Sequence, residues 1–467
     1  MTAQLLTAVV LGCIGYLLLT NLVSIAFIVV GGIENSLRRH ERAGADYSTL
    51  ASSRFTIPVS VIVAAYDEEA VIESAVRSLL AFEYPQFEVI VVNDGSSDGT
   101  LERLRETFEL EAYEVFVRHV LPSAHVRAIY RSPAYPNLVV VDKENGGKAD
   151  GWNAGLNIAR YRYVCGVDAD TVFDPKALLK VMEFVIEDPA RIIGATSQIT
   201  TARNAEASQA APPGRRRIDR GPLFAYQHLD FLRAFLNNRL AWSRMGFMLC
   251  SPGGFQIWRR DVLEEVGGYS TTFTCEDIEL TFRVHERFLR EGRDYQIYCL
   301  PDSVGVTEGP DTIAKLVSQR ERWQRVINET VLHYRRMWFN PRYGTVGIIG
   351  APFYLLTEVV SPAIEVLALL ALVVAVALGV FDPMAFGLML AAMAFTNAAL
   401  TACAILFDDV QSRLYRPRDL LRLLLLAPLE LVLYRPIIFW SRVKGSWRFL
   451  RGDKGWYKFE RNANAPT

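Results

Sequence analysis

The sequence predicts an α/β domain of the doubly wound, Rossmann-like type, placed between apolar segments long enough to cross a membrane. Three observations predict this arrangement. Short apolar runs alternate with amphipathic helical stretches between residues 55 and 195, and long apolar runs flank this region. The carboxylates of Asp168 and Asp170 follow directly after the apolar run 163–167. Strand–helix alternation of this kind favours a parallel sheet with right-handed crossovers.

Composition limits the class of protein. The chain has 467 residues, enough for more than one domain, and its formal net charge of −1 gives no sign of a nucleic-acid-binding surface. Hydrophobic residues make up 51% of the chain, a high share for a soluble protein, and they are concentrated in a few runs. The 6 cysteines form no Cys-x-x-Cys pair and no framework spacing, which favours reduced thiols in a cytosolic catalytic region.

The N-terminal apolar run predicts a membrane anchor. It extends from Leu5 to Gly32 with almost no charge, which is long enough for a bilayer and too long for the core of a signal peptide. Arginines follow it, so the positive-inside rule places the next region in the cytoplasm. The predicted divisions here are a transmembrane helix (1–33), a basic cytoplasmic linker (34–54) and a catalytic domain (55–335).

The first part of the domain contains the elements of a parallel sheet. The predicted strands are Val59–Ala64, Glu88–Val92, Leu138–Val141, Tyr163–Val167 and Ile192–Ala195. The predicted helices are Glu69–Leu80, Thr100–Glu109, Ala149–Ala159 and Pro175–Glu187. The pattern then breaks at Asn204–Pro222, which is rich in Ala, Pro and Gly, and the arginines Arg215–Arg217 are interpreted as part of an exposed loop.

The C-terminal region predicts interfacial and transmembrane helices (336–441) and a basic cytoplasmic tail (442–467). Its apolar blocks are Val346–Phe381, Met384–Phe407 and Leu420–Trp440. If all of these blocks crossed the membrane after a cytoplasmic domain, the basic tail would lie outside, against the positive-inside rule. One block therefore has another role. Either the first is an interfacial helix plus a span, or a hairpin, or the last is re-entrant.

Polar residues follow the predicted strands at the sheet edge where open α/β folds bind ligands. Tyr66 and Glu68 follow the first strand, and Asp94 opens a turn rich in Gly and Ser after the second. Lys148 follows a Gly-Gly pair before a helix, and such a pair lets backbone N–H groups approach a phosphate. Each motif alone is equally explained as a turn or a helix cap, and their recurrence at successive strand ends favours a ligand site.

The acidic pair at the end of the fourth predicted strand has the chemistry of a metal site. Asp168 and Asp170 are two residues apart in a turn, so their side chains can converge on one cation. Mg²⁺ and Mn²⁺ prefer carboxylate oxygens and often complete their shell with substrate phosphates. The sequence therefore predicts a divalent metal held between this pair and a phosphorylated ligand.

Two further motifs lie in the second half of the domain. Asp277 presents a carboxylate that can take a proton from an attacking hydroxyl, although an N-terminal helix cap explains the same residue. Gln319 and Arg322 share a helical face, and an arginine can donate a planar fork to a diphosphate. Trp323 offers a flat ring for the apolar face of a sugar. The alternative for this motif is a basic amphipathic helix at the membrane surface.

Taken in order, these motifs resemble those of a known enzyme group. The segments are AAYDEE, NDGSSDGT, KENGGKADGWNAG, VDADT, TCEDIEL and QRERW. They are similar to the processive, membrane-embedded family-2 glycosyltransferases, which include the cellulose, hyaluronan, chitin-oligosaccharide and poly-N-acetylglucosamine synthases. The resemblance covers residues 58–342 and extends into the membrane segments. It implies a GT-A catalytic domain on the cytoplasmic face of the plasma (bacterial inner) membrane.

The resemblance also implies a reaction. A UDP-sugar, with Mg²⁺ or Mn²⁺, would extend a β-linked polysaccharide by inverting transfer, and the polymer would pass through the membrane segments. By motif, the donor and its diphosphate would contact Tyr66, Glu68, Asp94, Lys148, Asp168, Gln319 and Arg322. Asp168 and Asp170 would form the metal pair, with Asp170 as the direct ligand, and Asp277 would be the general base. The acceptor side would contain Phe255, Trp258, Glu276 and Trp323.

Several positions depart from the family pattern. Asp67 stands where Asn is common, Trp152 where a small or aliphatic residue is usual, and Gln256 and Trp258 replace smaller or aliphatic residues. The identity of the sugar and of the acceptor therefore stays open. The alternatives are a non-processive transferase that adds one sugar to a ceramide- or polyprenyl-phosphate-type lipid, and a non-enzymatic membrane subunit. The partners implied are the donor, the growing acceptor, the bilayer and accessory export subunits.

Overall fold

The computed structural model describes residues 2–42, 56–115, 117–203, 221–412 and 415–453. The predicted loop 204–222 lies almost wholly outside these ranges, as do its arginine cluster, most of the basic linker and the end of the basic tail. In the described residues the centre of the molecule is one mixed, 10-stranded sheet. Helices cover both of its faces.

The sheet combines parallel and antiparallel pairs. Its strands are β1 Val59–Ala65, β2 Phe87–Asn93, β3 Glu111–Ala112, β4 Val126–Arg131, β5 Leu138–Lys143, β6 Tyr163–Asp168, β7 Thr171–Phe173, β8 Ile192–Ala202, β9 Phe255–Arg259 and β10 Gln296–Glu308. Their order across the sheet is β3-β4-β5-β2-β1-β6-β9-β8-β10-β7. All five predicted strands are present, and the parallel order β5-β2-β1-β6 confirms the doubly wound half.

The other half of the sheet is mixed because it contains strands that the sequence analysis did not predict. β9 pairs antiparallel with both β6 and β8, so it separates the two parallel groups. β8 continues to Ala202, beyond its predicted end, because it pairs with the long strand β10. Hydrophobic patterning indicates that a strand is buried but carries no information about its direction, which depends on pairing between distant segments.

Helices connect the strands of the domain and continue into the apolar regions. The α-helices are Thr2–Arg42, Ile72–Leu80, Thr100–Thr107, Lys148–Ile158, Ala177–Glu187, Pro222–Leu232, Leu240–Arg244, Arg260–Glu265, Glu276–Arg290, Ile313–His333, Ala351–Tyr354, Ser361–Ala377, Pro383–Ser412, Pro417–Leu426, Glu430–Leu433 and Arg435–Leu450. Single turns of 3₁₀-helix occupy Arg335–Met337 and Pro341–Tyr343. Segments of π-helix occupy Arg233–Arg239, Val346–Gly350 and Leu355–Val360.

Strand register brings the predicted site residues to one edge. Ala65 of β1 lies opposite Asn93 of β2, and Asn93 lies opposite Asp142 of β5. On the other side of β1, Ala64 lies opposite Asp168 of β6. The parallel strands thus end at one level, and the residues that follow them share one cleft.

A close contact between a helix and the sheet fixes the position of Lys148. The helix Lys148–Ile158 packs over β1, and a Cβ added to Gly155 would lie 2.4 Å from Cγ2 of Ile62. Only glycine allows this approach. The helix is therefore held against the sheet with its N-terminus at the carboxyl edge of the strands.

Three helices are long and apolar enough to cross a membrane, as judged over the described residues. They are Ala8–Arg38, Val346–Ala377 and Pro383–Asp409. The predicted block Leu420–Trp440 is instead divided among three shorter helices and gives no continuous span. This division supports the interpretation in which that block is not a span. Among the described residues, one candidate span precedes the domain and two follow it.

The buried face of the helix Glu276–Arg290 contains a histidine, His285, with a polar partner for each ring nitrogen. Nε2 of His285 lies 2.7 Å from the carbonyl oxygen of Met248, and Nδ1 faces the hydroxyl of Tyr295. A neutral ring that donates from Nε2 and accepts at Nδ1 satisfies both contacts. Burial lowers the pKa of His285 to about 4 from its ordinary 6.5, against the smaller opposite effect of the Met248 carbonyl.

The lowered pKa of His285 predicts an acid-dependent loss of stability. The unfolded chain takes up a proton below pH 6.5 that the folded chain binds only near pH 4, so the contribution is complete above pH 6.5 and is lost as the pH falls towards 4. We expect His285→Gln to weaken the dependence of the unfolding midpoint on pH between pH 6.5 and pH 4, measured by thermal denaturation in detergent. The exposed His119→Gln is the control. If the unfolding midpoint of His285→Gln falls with pH as steeply as that of the wild type, the lowered pKa of His285 is contradicted.

Candidate active site

Lys148 lies at the centre of a charged cluster at the carboxyl edge of the sheet. Its Nζ is 2.6 Å from Oδ1 of Asp168 and 3.0 Å from Oε1 of Glu276, and it lies 4.5 Å from the ring centroid of Trp152. Burial lowers the pKa of Lys148, but the carboxylates of Asp168 and Glu276 outweigh this effect and raise it well above its ordinary value. Lys148 therefore stays positively charged, as a group that binds phosphate must.

The acidic pair has a donor set that fits a hard divalent cation. Asp168 ends β6 and is half-buried, and Asp170 follows two residues later. Oδ1 of Asp170 accepts from the hydroxyls of Thr171 and Thr307, each at 3.3 Å, which are long contacts that a metal can replace. In the described part of the chain no group of three or more His, Cys, Asp or Glu side chains is arranged to hold a metal. A cation at this pair would need further oxygens from a bound ligand.

Asp94 organises the loop that leads to Lys148. Its Oδ1 accepts from Lys143 and from the N–H of Gly146 at 3.0 Å, and its Oδ2 accepts from the N–H of Gly147 at 2.7 Å. Burial raises the pKa of the Asp94 carboxyl, and the Lys143 ammonium and the loop N–H groups offset part of this rise. Because these contacts occupy both carboxylate oxygens, Asp94 acts first as a fixed anchor for the glycine loop.

Lys143 is a site residue that the motif analysis did not single out. It is fully buried between Asp94 and Asp150, and its Nζ lies 2.6 Å from Oδ1 of Asp150. Its only local signal is its position at the start of the segment KENGGK. The partners that give it this role come from two other elements, so only the folded chain reveals it.

The turn after β1 is fixed against the turn after β2. Asp67 adopts a φ of +50°, in the left-handed region that Asn and Asp tolerate best among residues with side chains. Its Oδ1 accepts from the N–H of Ser97 at 2.7 Å, and the N–H of Glu68 donates to the hydroxyl of Thr100 at 2.9 Å. Tyr66 is 40% exposed at the rim of the cleft, whereas Glu68 is buried. Asp67 therefore has a structural role that an Asn would share.

Asp277 is held next to the Lys148 cluster by backbone and thiol donors. It lies in the first turn of the helix Glu276–Arg290, and its Oδ2 accepts from the N–H of Gly253 at 2.9 Å. Its Oδ1 accepts from Sγ of Cys275 at 3.0 Å and from the N–H of Ile278 at 2.6 Å. Burial raises the pKa of the Cys275 thiol, and Asp277 adds to this rise, so the thiol stays protonated as a donor.

Gly253 joins the two halves of the cleft. A Cβ added at this position would lie 3.0 Å from Nζ of Lys148 and 3.6 Å from Oδ2 of Asp277. The loop 251–254 therefore passes between Lys148 and Asp277, and a side chain at position 253 would press against the end of Lys148. The pair Gly253–Gly254 was visible in the sequence, but its contact with Asp277 was not predicted.

The third motif lies on the helix Ile313–His333. Trp323 is 36% exposed, and its ring centroid is 6.4 Å from that of Phe231. Gln319 and Arg322 are half-buried on the same helix. The N–H of Thr274 donates to Glu329 of this helix at 3.0 Å, so the segment before Asp277 rests on the helix that carries Trp323.

Comparisons with known proteins agree with this geometry. The profile described as Glycosyl transferase family 2 matches residues 60–267, which include every strand-end motif from Tyr66 to the loop at Gly253. Residues 60–267 are thus similar to the catalytic domains of this family. Asp277 and the motif 319–323 lie beyond the matched segment.

Two similar proteins are polysaccharide synthases by name. A poly-beta-1,6-N-acetyl-D-glucosamine synthase of Staphylococcus epidermidis is 28% identical over 281 residues, which is 60% of this chain and 56% of that protein. The synthase of the same name from Staphylococcus aureus (strain COL) is 26% identical over 275 residues, 59% of this chain and 55% of that protein. This chain thus aligns with little more than half the length of these relatives.

A solved structure shares the fold of the family 2 domain. The mannosyltransferase PcManGT from Pyrobaculum calidifontis, in complex with GDP-Man and Mn²⁺, is 20% identical with a TM-score of 0.51. The likeness covers 84% of this chain and 99% of that one. At this identity the comparison establishes a shared GT-A-like fold.

The acceptor-side prediction for two aromatic residues is wrong. Phe255 and Trp258 lie on β9 with no exposed surface, and they pack in the hydrophobic core on the two faces of the sheet. The ring N–H of Trp258 donates to Oε1 of Gln256 at 2.8 Å, so its polar atom is also satisfied inside the protein. Glu276 was also predicted on the acceptor side, and the structure pairs it with Lys148.

Proposed function

We propose that this protein is an inverting membrane glycosyltransferase that adds N-acetylglucosamine from UDP-N-acetylglucosamine to a growing β-linked polysaccharide. The observation that carries the proposal is the cluster in which Lys148, Asp168 and Asp277 surround the pair Gly253–Gly254. This cluster supports the proposal because it brings one cation and two carboxylates together at one cleft, where one carboxylate could bind a metal and the other could accept a proton. The choice of N-acetylglucosamine as the sugar rests on the names of the relatives.

The donor side of the cleft suits a sugar diphosphate. Lys148 begins a helix directly after the Gly146–Gly147 pair, and the N-terminus of a helix together with a positive charge favours phosphate. Asp168 and Asp170 would hold Mg²⁺ or Mn²⁺, which would neutralise the diphosphate as it leaves. When the diphosphate binds, Lys148 can exchange Asp168 for a phosphate oxygen. Arg322 would add a planar donor from the helix Ile313–His333.

The acceptor side supplies the proton transfer. The carboxylate of Asp277 would accept the proton of the acceptor hydroxyl while the oxygen of that hydroxyl bonds to the anomeric carbon. The bond from that carbon to the diphosphate breaks at the same time, and UDP leaves with the electron pair. Attack from the face opposite the diphosphate converts an α-linked donor into a β-linked product. The N–H of Gly253 and the thiol of Cys275 would keep the carboxylate aimed at the cleft.

The apolar helices support a polymer product. The candidate spans at both ends of the domain would keep the cleft next to a bilayer, and the exposed ring of Trp323 provides a surface for the end of a chain. We therefore propose that the product is extended by repeated transfer at one site and leaves across the membrane.

The test is the size of the product. Protein in lipid nanodiscs with Mn²⁺ is incubated with radiolabelled UDP-N-acetylglucosamine, UDP-glucose or UDP-glucuronate without added acceptor. We expect a high-mass, glycosidase-sensitive product from UDP-N-acetylglucosamine. A high-mass product from another donor would reject the sugar but keep the polymerase. Label confined to one sugar on a lipid would reject the polymerase and support the lipid transferase, and no transfer at all would favour a non-enzymatic subunit.

A further inference from the structure

A buried network of charges connects the helix that carries Trp323 to one of the candidate membrane helices. Its members come from four separate segments of the chain: Asp230, Arg233, Arg320, Asn397, Thr401, Glu430, Tyr434 and Arg435. The motif analysis assigned no role to any of them, although Arg320 lies within the segment QRERW.

Glu430 is the centre of the network. It has no exposed surface, and its two oxygens accept a bidentate pair from Arg233, at 2.7 Å and 2.6 Å. Arg435 lies 3.0 Å from Oε1, and the side-chain amide of Asn397 donates to Oε2 at 3.1 Å. A buried carboxylate with this set of partners holds their segments in one arrangement, because breaking one charged pair leaves the other charge uncompensated.

Arg233 joins this centre to the membrane helix and to Asp230. Its Nη1 donates to the hydroxyl of Thr401 at 2.7 Å, and its Nη2 donates to Oδ1 of Asp230 at 2.7 Å. Thr401 and Asn397 lie on the helix Pro383–Ser412, within the candidate span. Arg233 also begins a segment of π-helix, a form that is frequent at functional sites.

Arg320 carries the network to the exposed tryptophan. Its Nη2 lies 3.4 Å from Oδ2 of Asp230 and 3.5 Å from the hydroxyl of Tyr434, which donates to the same oxygen of Asp230 at 3.0 Å. The guanidinium carbon of Arg320 lies 4.4 Å from the ring centroid of Trp323. Phe231, next to Asp230 in the chain, contacts the ring as well.

We infer that Arg320 is a positioning residue for Trp323. Asp230, Arg233 and Glu430 in turn fix Arg320 relative to the helix Pro383–Ser412. The inference rests on the proposed function, in which Trp323 stacks on the acceptor. The network holds the ring of Trp323 at a fixed position relative to the candidate membrane helix, next to which the product would leave. Its loss should weaken retention of the acceptor between transfers and leave the donor site unchanged.

The chain offers a matched control on the same helix. Arg325 is also buried, and its Nε pairs with Glu321 at 2.7 Å. Its Nη1 donates to the carbonyl of Asp453 at 2.9 Å. Arg325→Gln therefore removes a buried ion pair from the helix Ile313–His333 and keeps the contacts of Trp323 with Arg320 and Phe231.

The test compares product length with donor affinity in nanodiscs with UDP-N-acetylglucosamine and Mn²⁺. We expect Arg320→Gln to shorten the mean product about fivefold, the size of effect that one cation–π contact supports, with the donor KM unchanged. Arg320→Lys should restore part of the length because it keeps the charge, and Glu430→Gln should shorten the product. Equal shortening in Arg320→Gln and Arg325→Gln, or wild-type length in the former, would overturn the inference.

A second measurement is independent of turnover and separates this inference from the proposed function. The protein is labelled with 5-fluorotryptophan, and the Trp323 resonance is assigned as the one missing in Trp323→Phe. We expect the fluorine shift of this resonance to change in Arg320→Gln and to stay in place in Arg325→Gln. If the wild type makes no polymer but the shift changes as expected, the proposed function fails and the positioning role stands. An unchanged shift in Arg320→Gln overturns the positioning role.

Discussion

Replacement of Asp277 by asparagine is expected to lower the rate of sugar transfer by roughly 100- to 10,000-fold, the range associated with loss of a general base. Asparagine keeps an oxygen that can accept the N–H of Gly253, which is 2.9 Å from Oδ2 in the wild type. The amide has no useful affinity for a proton, so the acceptor hydroxyl is not activated. The loss should appear in kcat, measured by UDP release, with the donor KM nearly unchanged.

The control for Asp277→Asn is a carboxylate of the same domain outside the cleft. Asp261 is exposed and pairs with Arg259 at 2.7 Å, so Asp261→Asn should keep near-wild-type turnover. Equal unfolding midpoints for both variants and the wild type would exclude a folding defect. Wild-type turnover in Asp277→Asn would remove Asp277 from the role of base.

Replacement of Asp170 by asparagine is expected to abolish most activity and to change its response to metal. A metal that neutralises a leaving diphosphate is worth several kcal/mol in the transition state, so we expect a loss of at least about 100-fold. Asparagine keeps an oxygen for the hydroxyls of Thr171 and Thr307, which lie 3.3 Å from Oδ1 of Asp170, so the local structure should persist. The measurement is activity against Mn²⁺ concentration after treatment with EDTA.

Two outcomes of the metal titration are informative. A curve for Asp170→Asn displaced to higher Mn²⁺ supports Asp170 as a metal ligand, and a curve at the wild-type position would contradict it. Asp174 provides the control because it is near in sequence and pairs with Lys180 at 2.8 Å, outside the proposed metal site. Asp174→Asn should keep the wild-type dependence on metal.

Local patterns predicted the parallel half of the domain and its main motifs. Apolar runs of strand length gave β1, β2, β5 and β6, and the residues after them lie at one sheet edge because parallel strands run in one direction. The positions of Lys148 and Asp168 follow from this rule, and the structure places their side chains 2.6 Å apart. Local signals suffice where the chemistry depends on strand ends alone.

Other features required the folded chain. Phe255 and Trp258 have the composition of a sugar-binding surface, but β9 inserts between β6 and β8 and buries both. Burial of this kind depends on strand pairing across about ninety residues of sequence, which no local periodicity encodes. The block Leu420–Trp440 is likewise apolar enough for a span. Its Glu430, however, is buried and pairs with Arg233, which comes from a distant part of the chain.

The sequence by itself determined the α/β class, the membrane-length helix at the start, the glycosyltransferase motifs and their order along the chain. These depend on hydrophobic period, segment length and short spacings, which are properties of neighbouring residues. Tertiary structure decided that Asp94 anchors the glycine loop and pairs with Lys143, that Gly253 holds Asp277, and that Arg320 reaches Trp323 and Asp230. Each of these depends on the approach of side chains from separate elements, and close packing of the whole domain sets that approach.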